Sequence, residues 1–155
     1  MPVLAEIVRY ADDLLRLTEL EDFPNALNGL QIENDGRVSK IGAAVDASGA
    51  TFQLAIERTV DLLVVHHGLF WPGLRPITGA FARTLKLAFE RNLAVYSAHL
   101  PLDFHPQLGN NAQLAAALGL EKTEPFLVVK SQPLGLRAEA NLRRNEILTK
   151  LEESL

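Results

Sequence analysis

The sequence predicts an α/β protein: three layers, α/β/α, around a mostly parallel sheet. Two observations carry this prediction. Short apolar runs alternate with helical segments between residues 40 and 118, and strand–helix–strand order builds right-handed crossovers with parallel pairing. The runs are also continuous rather than alternating polar and apolar, as expected of strands covered on both faces. At 155 residues the chain is long enough to bury a core of its own.

Each element has its own signal. Residues 3–20 read as an amphipathic helix, with Leu4, Ile7, Val8, Leu14, Leu15 and Leu17 apolar. Asp22, Phe23, Pro24 and Asn25 break that pattern. Residues 28–32 form a short strand, ended by Asn34, Asp35 and Gly36. Residues 40–46 are a buried strand and 48–59 a helix. Residues 61–65 are a second buried strand, which His66, His67 and Gly68 end. A loop runs through Trp71 to Pro76, and residues 79–92 form a helix. Residues 93–97 are a third strand, ended by Ala98 and His99. Residues 101–109 are a loop. Residues 110–118 are a helix, with Asn110 and Asn111 as caps and Gly119 as terminator. Residues 126–129 offer a fourth strand. Residues 139–155 read as a final helix with few bulky apolar residues.

Composition removes several function classes. Cysteine is absent, so there is no thiolate metal site, cysteine nucleophile or disulfide framework. The net charge is -4, and the longest basic cluster is Arg143-Arg144. Nucleic-acid binders need a basic surface to neutralise phosphates, so nucleic acid is not the expected partner. No apolar run reaches the ~18 residues that span a bilayer. The amino terminus has no basic start followed by an apolar stretch, so no signal peptide is read and the cytoplasm is the expected location. The Lys-Ser/Thr phosphate loop, the dinucleotide fingerprint and the Gly-x-Ser-x-Gly elbow are all missing.

The four histidines lie in two places. His66 and His67 follow the second strand. His99 follows the third, with Asp103 and His105 a few residues on. Asp46 ends the first strand in the same way, either as a site residue or as a cap for the helix near Ser48. Open α/β sheets bind ligands outside the carboxyl ends of their strands, so these groups are expected along one edge. Imidazole nitrogen with carboxylate oxygen suits divalent iron, zinc, manganese or cobalt. A lone strand-end histidine is more often structural, but two clusters at neighbouring ends point to metal. Successive strand side chains face opposite ways. The pair therefore converges only if the backbone turns, with Gly68 supplying the freedom, or else each histidine serves its own ion. Asp103 can bridge two ions, and such a pair activates water. Ser97 and His99 share a strand face without an evident acid partner, which weakens a serine nucleophile.

These residues resemble a known family. Asn28-Gly29-Leu30-Gln31, Val45-Asp46-Ala47-Ser48, His66-His67-Gly68 with Trp71, and Ala98-His99-Leu100-Pro101-Leu102-Asp103 with Gly109-Asn110-Asn111 look like the Nif-three-like proteins, homologues of a second type of GTP cyclohydrolase. The likeness covers residues 1–130 as an α/β metal-binding domain, with 131–155 left as a helical tail. It implies a dinuclear metal centre with His66, His67 and Asp103 as ligands. His99 and His105 are then acid/base or supporting groups. It also implies a toroidal homo-oligomer, often a hexamer, and a metal-dependent hydrolase or cyclohydrolase acting on a small nucleotide-like substrate. The alternative is a non-catalytic metal-binding scaffold or regulator. The family pattern adds a histidine and a glutamate, four residues apart on a carboxyl-terminal helix. No histidine follows His105 here, so the chain is expected to be a shortened form or a part of a longer one.

Overall fold

The continuous apolar runs form adjacent parallel strands. In the computed structural model, which describes residues 3–154, the chain divides into two units, one up to Pro101 and one from Leu102. The first holds a four-stranded sheet of β1 (Gly29–Ile32), β2 (Ile41–Asp46), β3 (Leu62–His67) and β4 (Ala94–Ser97). Their order is β1-β4-β3-β2. β2, β3 and β4 are parallel, and β1 runs antiparallel to β4. The register pairs Asp46 with His67 and Val65 with Ser97, so the carboxyl ends of the three parallel strands lie side by side.

Both faces of this sheet are covered. The helices α2 (Gly49–Glu57) and α3 (Gly79–Glu90) follow β2 and β3. Ser48 caps α2 by accepting from Thr51 N–H at 3.2 Å. Phe52, Ala55 and Ala88 pack with Leu63, Val65 and Val95 into one buried cluster. Each large apolar side chain buried there contributes about 1.5–3 kcal/mol. Tyr96 alternates with Val95 and faces the other way. Its hydroxyl donates to Asp12 of α1 (Leu4–Leu14) at 2.8 Å, which ties that helix to the opposite face. Burial, then the Asp12 carboxylate, pushes the Tyr96 phenol above its ordinary range. The predicted three layers are present.

Several boundaries differ from the sequence reading. α1 stops at Leu14, because Arg16 takes a left-handed φ of 53° and Leu17 N–H turns back to the Asp12 carbonyl. β3 runs through both histidines instead of ending before them. Gly68 is not left-handed, and its role is space. A Cβ there would collide with the Gln31 side-chain amide. That amide donates to the Ala26 and Leu27 carbonyls and accepts from Leu69 N–H at 2.8 Å. The strand exit is therefore pinned rather than loosened.

In the second unit, α5 (Asn110–Ala117) has Gly109 at its cap position, not an asparagine. Any Cβ at Gly109 would strike the carbonyls of Leu102, Asp103 and His105. Asn111 instead donates to the Leu134 carbonyl at 2.7 Å. Gly119, left-handed at φ 71°, ends the helix region as predicted. The apolar run near Phe126 becomes β5 (Thr123–Val129), which pairs antiparallel with β6 (Gln132–Ala138). Residues 131–155 therefore open with a strand. Lys130 and Ser131, both at positive φ, make the two-residue turn that suits a hairpin. The final helix α6 (Arg144–Ser154) starts later than read, and Leu155 lies outside the described residues. A short helix, α4 (Leu100–Asp103), occupies the predicted loop where the chain passes between units. Among the described residues no helix is long and apolar enough to cross a membrane.

Gly68→Ala should displace the Gln31 amide and cost about 1–3 kcal/mol, read as a lower urea midpoint; an unchanged midpoint would show that the loop adapts freely. Asp61 accepts from the Ser39 hydroxyl, Ser39 N–H and Lys40 N–H at 2.7–2.9 Å. These bonds, the Ser39 hydroxyl foremost, hold its carboxyl below the ordinary value. A depressed carboxyl adds stability above its unfolded pKa and loses it as pH falls through the folded value. Stability should therefore drop below about pH 4, and Asp61→Asn should flatten that drop in urea titrations at stepped pH.

Candidate metal centre

Three imidazoles meet at the carboxyl edge of the sheet. One ring nitrogen from each of His66, His67 and His99 lies within 4.8 Å of the others. The ring centroids stand 4.6 Å (His66–His67), 4.8 Å (His66–His99) and 5.6 Å (His67–His99) apart. His66 and His67 converge although both belong to the strand, so a turn between them is not required.

The parallel register explains how each ring is held. His67 lies opposite Asp46, and its Nδ1 bonds Asp46 Oδ1 at 2.8 Å. The helix-cap reading of Asp46 gives way to this bond, since Ser48 caps α2. On the other flank β4 leaves the sheet through Ala98, whose carbonyl accepts from His66 Nδ1 at 3.0 Å. A carbonyl cannot donate, so the His66 proton sits on Nδ1. His99 Nδ1 meets Asp22 Oδ1 at 2.9 Å. All three rings thus direct Nδ1 at an acceptor, which leaves Nε2 as the lone-pair nitrogen. Metal-binding histidines are commonly oriented in this way by an outer acceptor.

Asp22 belongs to the segment that the sequence pattern marks only as a helix breaker. Its Oδ1 also accepts from Phe23 N–H at 2.6 Å, and its Oδ2 accepts from the Asn28 amide at 2.7 Å and Leu100 N–H at 2.9 Å. Burial alone would raise its pKa. The bonds from Asn28, His99, Phe23 and Leu100 outweigh that and hold the carboxyl below its ordinary value. Asn28 in turn accepts from His99 N–H at 2.7 Å. Trp71 covers the cluster, stacked on His67 at 5.3 Å and 4.3 Å from His99 between ring centroids. Phe23 meets Trp71 edge-on at 6.3 Å. A groove of about 150 Å³ opens beside His67, between Asp46, Trp71 and Arg75.

Ser97 is fully buried and donates to the His66 carbonyl at 3.3 Å. That bond gives it a structural role. Asp103 and His105 belong to the second unit. Asp103 Oδ1 accepts from the Asn110 amide at 2.8 Å. His105 Nδ1 accepts from Gln107 and Leu108 N–H at 3.2 and 3.0 Å, which places its proton on Nε2, the reverse of the other three rings. The chemistry of the triple-imidazole set fits a divalent transition metal: nitrogen donors, no sulfur, carboxylates one bond behind.

Comparison with known proteins agrees with this architecture. The family model described as Duf34/NIF3 (NGG1p interacting factor 3) matches residues 2–155. A protein of Archaeoglobus fulgidus, described as a GTP cyclohydrolase 1 type 2 homolog, is 43% identical over 136 residues, covering 88% of this chain and 55% of its own. A Deinococcus radiodurans protein of the same description is 45% identical over 121 residues, covering 78% and 45%. Among solved structures, TTHA1606 from Thermus thermophilus superposes with a TM-score of 0.72 at 49% identity, covering 79% of this chain and 50% of its own. The protein ybgI, described as of unknown function, gives 0.82 at 35% identity, covering 97% and 59%. The chain spans about half the length of the curated relatives it matches. With a family model matching almost every residue and relatives above 40% identity over most of its length, the protein belongs to the Duf34/NIF3 family.

Proposed function

We propose that this protein binds divalent metal at the carboxyl ends of β3 and β4 and acts as a metal-dependent hydrolase or cyclohydrolase on a small nucleotide-like substrate. One observation carries the metal reading: three clustered imidazoles, each with Nδ1 against an acceptor. The relatives' description as GTP cyclohydrolase 1 type 2 homologs supports the reaction class. Iron, zinc and manganese all suit such donors. Bound there, the ion supplies Lewis acidity and a water that ionises near neutral pH.

His66 and His67 are the proposed ligands on β3. Asp103 stays a proposed carboxylate ligand, and the dinuclear centre a proposal with it, on the sequence motif alone. Asp46 holds the His67 ring and strengthens its Nε2 as a donor. Trp71 shields the rings from water on its side, which strengthens charge interactions beneath it. His105, whose Nδ1 accepts from two backbone N–H groups, stays a proposed acid/base group on the sequence motif alone. The resemblance extends the proposal to a toroidal homo-oligomer, often a hexamer.

Elemental analysis of the untagged protein beside His67→Ala tests the metal reading. At least one equivalent in the parent and its loss in the variant are expected; equal metal in both would remove His67 from the site. A panel of nucleotides and phosphoesters tests the reaction. Metal-dependent turnover that disappears in His67→Ala is expected, whereas metal retained without turnover on any member would favour the non-catalytic scaffold.

A further inference from the structure

The loop that leaves β3 carries an arginine that the reading above leaves without a task. We propose that Arg75 binds the phosphoryl group of the nucleotide-like substrate, in the groove between Asp46, Trp71 and Arg75 beside His67. The inference rests on the nucleotide reading above. It names the part of the substrate that this groove takes and the residue that selects it.

Four observations carry it. The first is size. At about 150 Å³ the groove falls short of the roughly 300–1,000 Å³ that hold a whole small molecule, so it is a subsite for one part of a ligand. The second is charge. Among the described residues that line the groove, Arg75 is the one permanent cation and Asp46 the one carboxylate. Asp46 gives Oδ1 to His67, whereas no carboxylate of the described residues pairs with Arg75. The group left without a partner is the guanidinium, and its complement is an anion. The third is presentation. The guanidinium carbon of Arg75 stands 3.9 Å from the centre of the Phe81 ring, and Phe81 packs against the buried core cluster. Stacking uses the face of the guanidinium. Its in-plane N–H groups stay free to take two oxygens at once, the geometry that recognises phosphate. The fourth is a shaped loop. Trp71 N–H bonds the Gly68 carbonyl at 3.3 Å, and Gly73 N–H bonds the Phe70 carbonyl at 2.8 Å. Pro76 then restricts the backbone of Arg75 itself to extended conformations. The arginine is held before a ligand arrives, so less ordering opposes binding. A nucleobase is the poorer occupant, because the indole of Trp71 already stacks on His67 and meets Phe23 edge-on.

Calorimetry with GMP and guanosine tests the assignment, on metal-free and on Zn2+-loaded protein. GMP should bind the parent more tightly than guanosine in both states, because the arginine and not the ion takes the phosphate. Arg75→Gln should weaken GMP about 10–100-fold and leave guanosine unchanged, with Arg75→Lys in between. Trp71 is the sole tryptophan of the chain, so GMP should also change the protein's tryptophan emission. Equal GMP and guanosine affinities in the parent would overturn the inference and leave the nucleotide reading in place, and that comparison needs no variant to fold. A GMP preference that survives Arg75→Gln, that exists only with Zn2+ bound, or that leaves Trp71 emission unmoved would place the phosphate elsewhere. A variant that weakens guanosine as much as GMP would make Arg75 a shaper of the loop and not a phosphate contact. If neither compound binds the parent, this inference falls with the nucleotide reading, while the metal reading stands or falls on the elemental analysis.

Discussion

The parallel register of β2, β3 and β4 is the constraint on which the rest of the molecule depends. Pairing Asp46 with His67 and Val65 with Ser97 brings three strand ends level. It also decides the partners of the two adjacent histidines. Consecutive residues on a strand start toward opposite faces, so one common acceptor could not orient both. The register supplies a different acceptor on each flank: a carboxylate from β2 for His67 and a carbonyl beyond β4 for His66. A slip of one residue would exchange faces for every side chain and remove both bonds. Packing of Leu63, Val65 and Val95 against α2 and α3 guards against that slip. The hydrophobic core and the polar edge therefore specify the same alignment.

Much of this is readable from the chain. Val64, Val65, Val95 and Tyr96 lie in apolar runs whose period and length announce buried parallel strands, and the histidines stand at their ends. The outer layer of hydrogen bonds is not readable in the same way. Asp22 sits in a segment that looks like a helix breaker, 77 residues from the ring it orients. No local pattern ties the two. Asp46 is visible as a candidate but ambiguous, because a carboxylate two residues before a helix serves equally as a cap. Only the cross-strand register separates the two roles. Gly68 misleads for a related reason. Glycine signals either an unusual φ or a close approach, and the approaching group, Gln31, lies on a different strand. Asn110 and Asn111 resemble caps in type, yet Gly109 takes that position because three carbonyls leave no space for a side chain.

The polar groups around the histidines also show why the site tolerates burial. An ionised carboxylate taken out of water costs several kcal/mol unless its oxygens are satisfied. Asp22 meets that condition with donors on both oxygens, two of them backbone groups that cannot be lost by side-chain mutation. Asn28 and Gln31, from the short Asn-Gly-Leu-Gln stretch, act alike on two loops. One secures the segment leaving β4 and the other the segment leaving β3. That stretch has no chemistry of its own to perform. Its two amides hold the exits of the strands that carry the imidazoles.

The spacing of these bonds along the chain bears on how the protein folds. His67 reaches Asp46 across 21 residues and His66 reaches Ala98 across 32, both within βαβ crossovers. His99 reaches Asp22 across 77, by way of the antiparallel strand β1. Loop-closure entropy rises by only about 0.6 kcal/mol per doubling of length, but it opposes folding before a distant contact can return any stability, and such contacts slow folding most. The crossovers can close around His66 and His67 while the amino-terminal segment is still free. The third ring takes its partner from that segment, so its loop is the longest of the three to close.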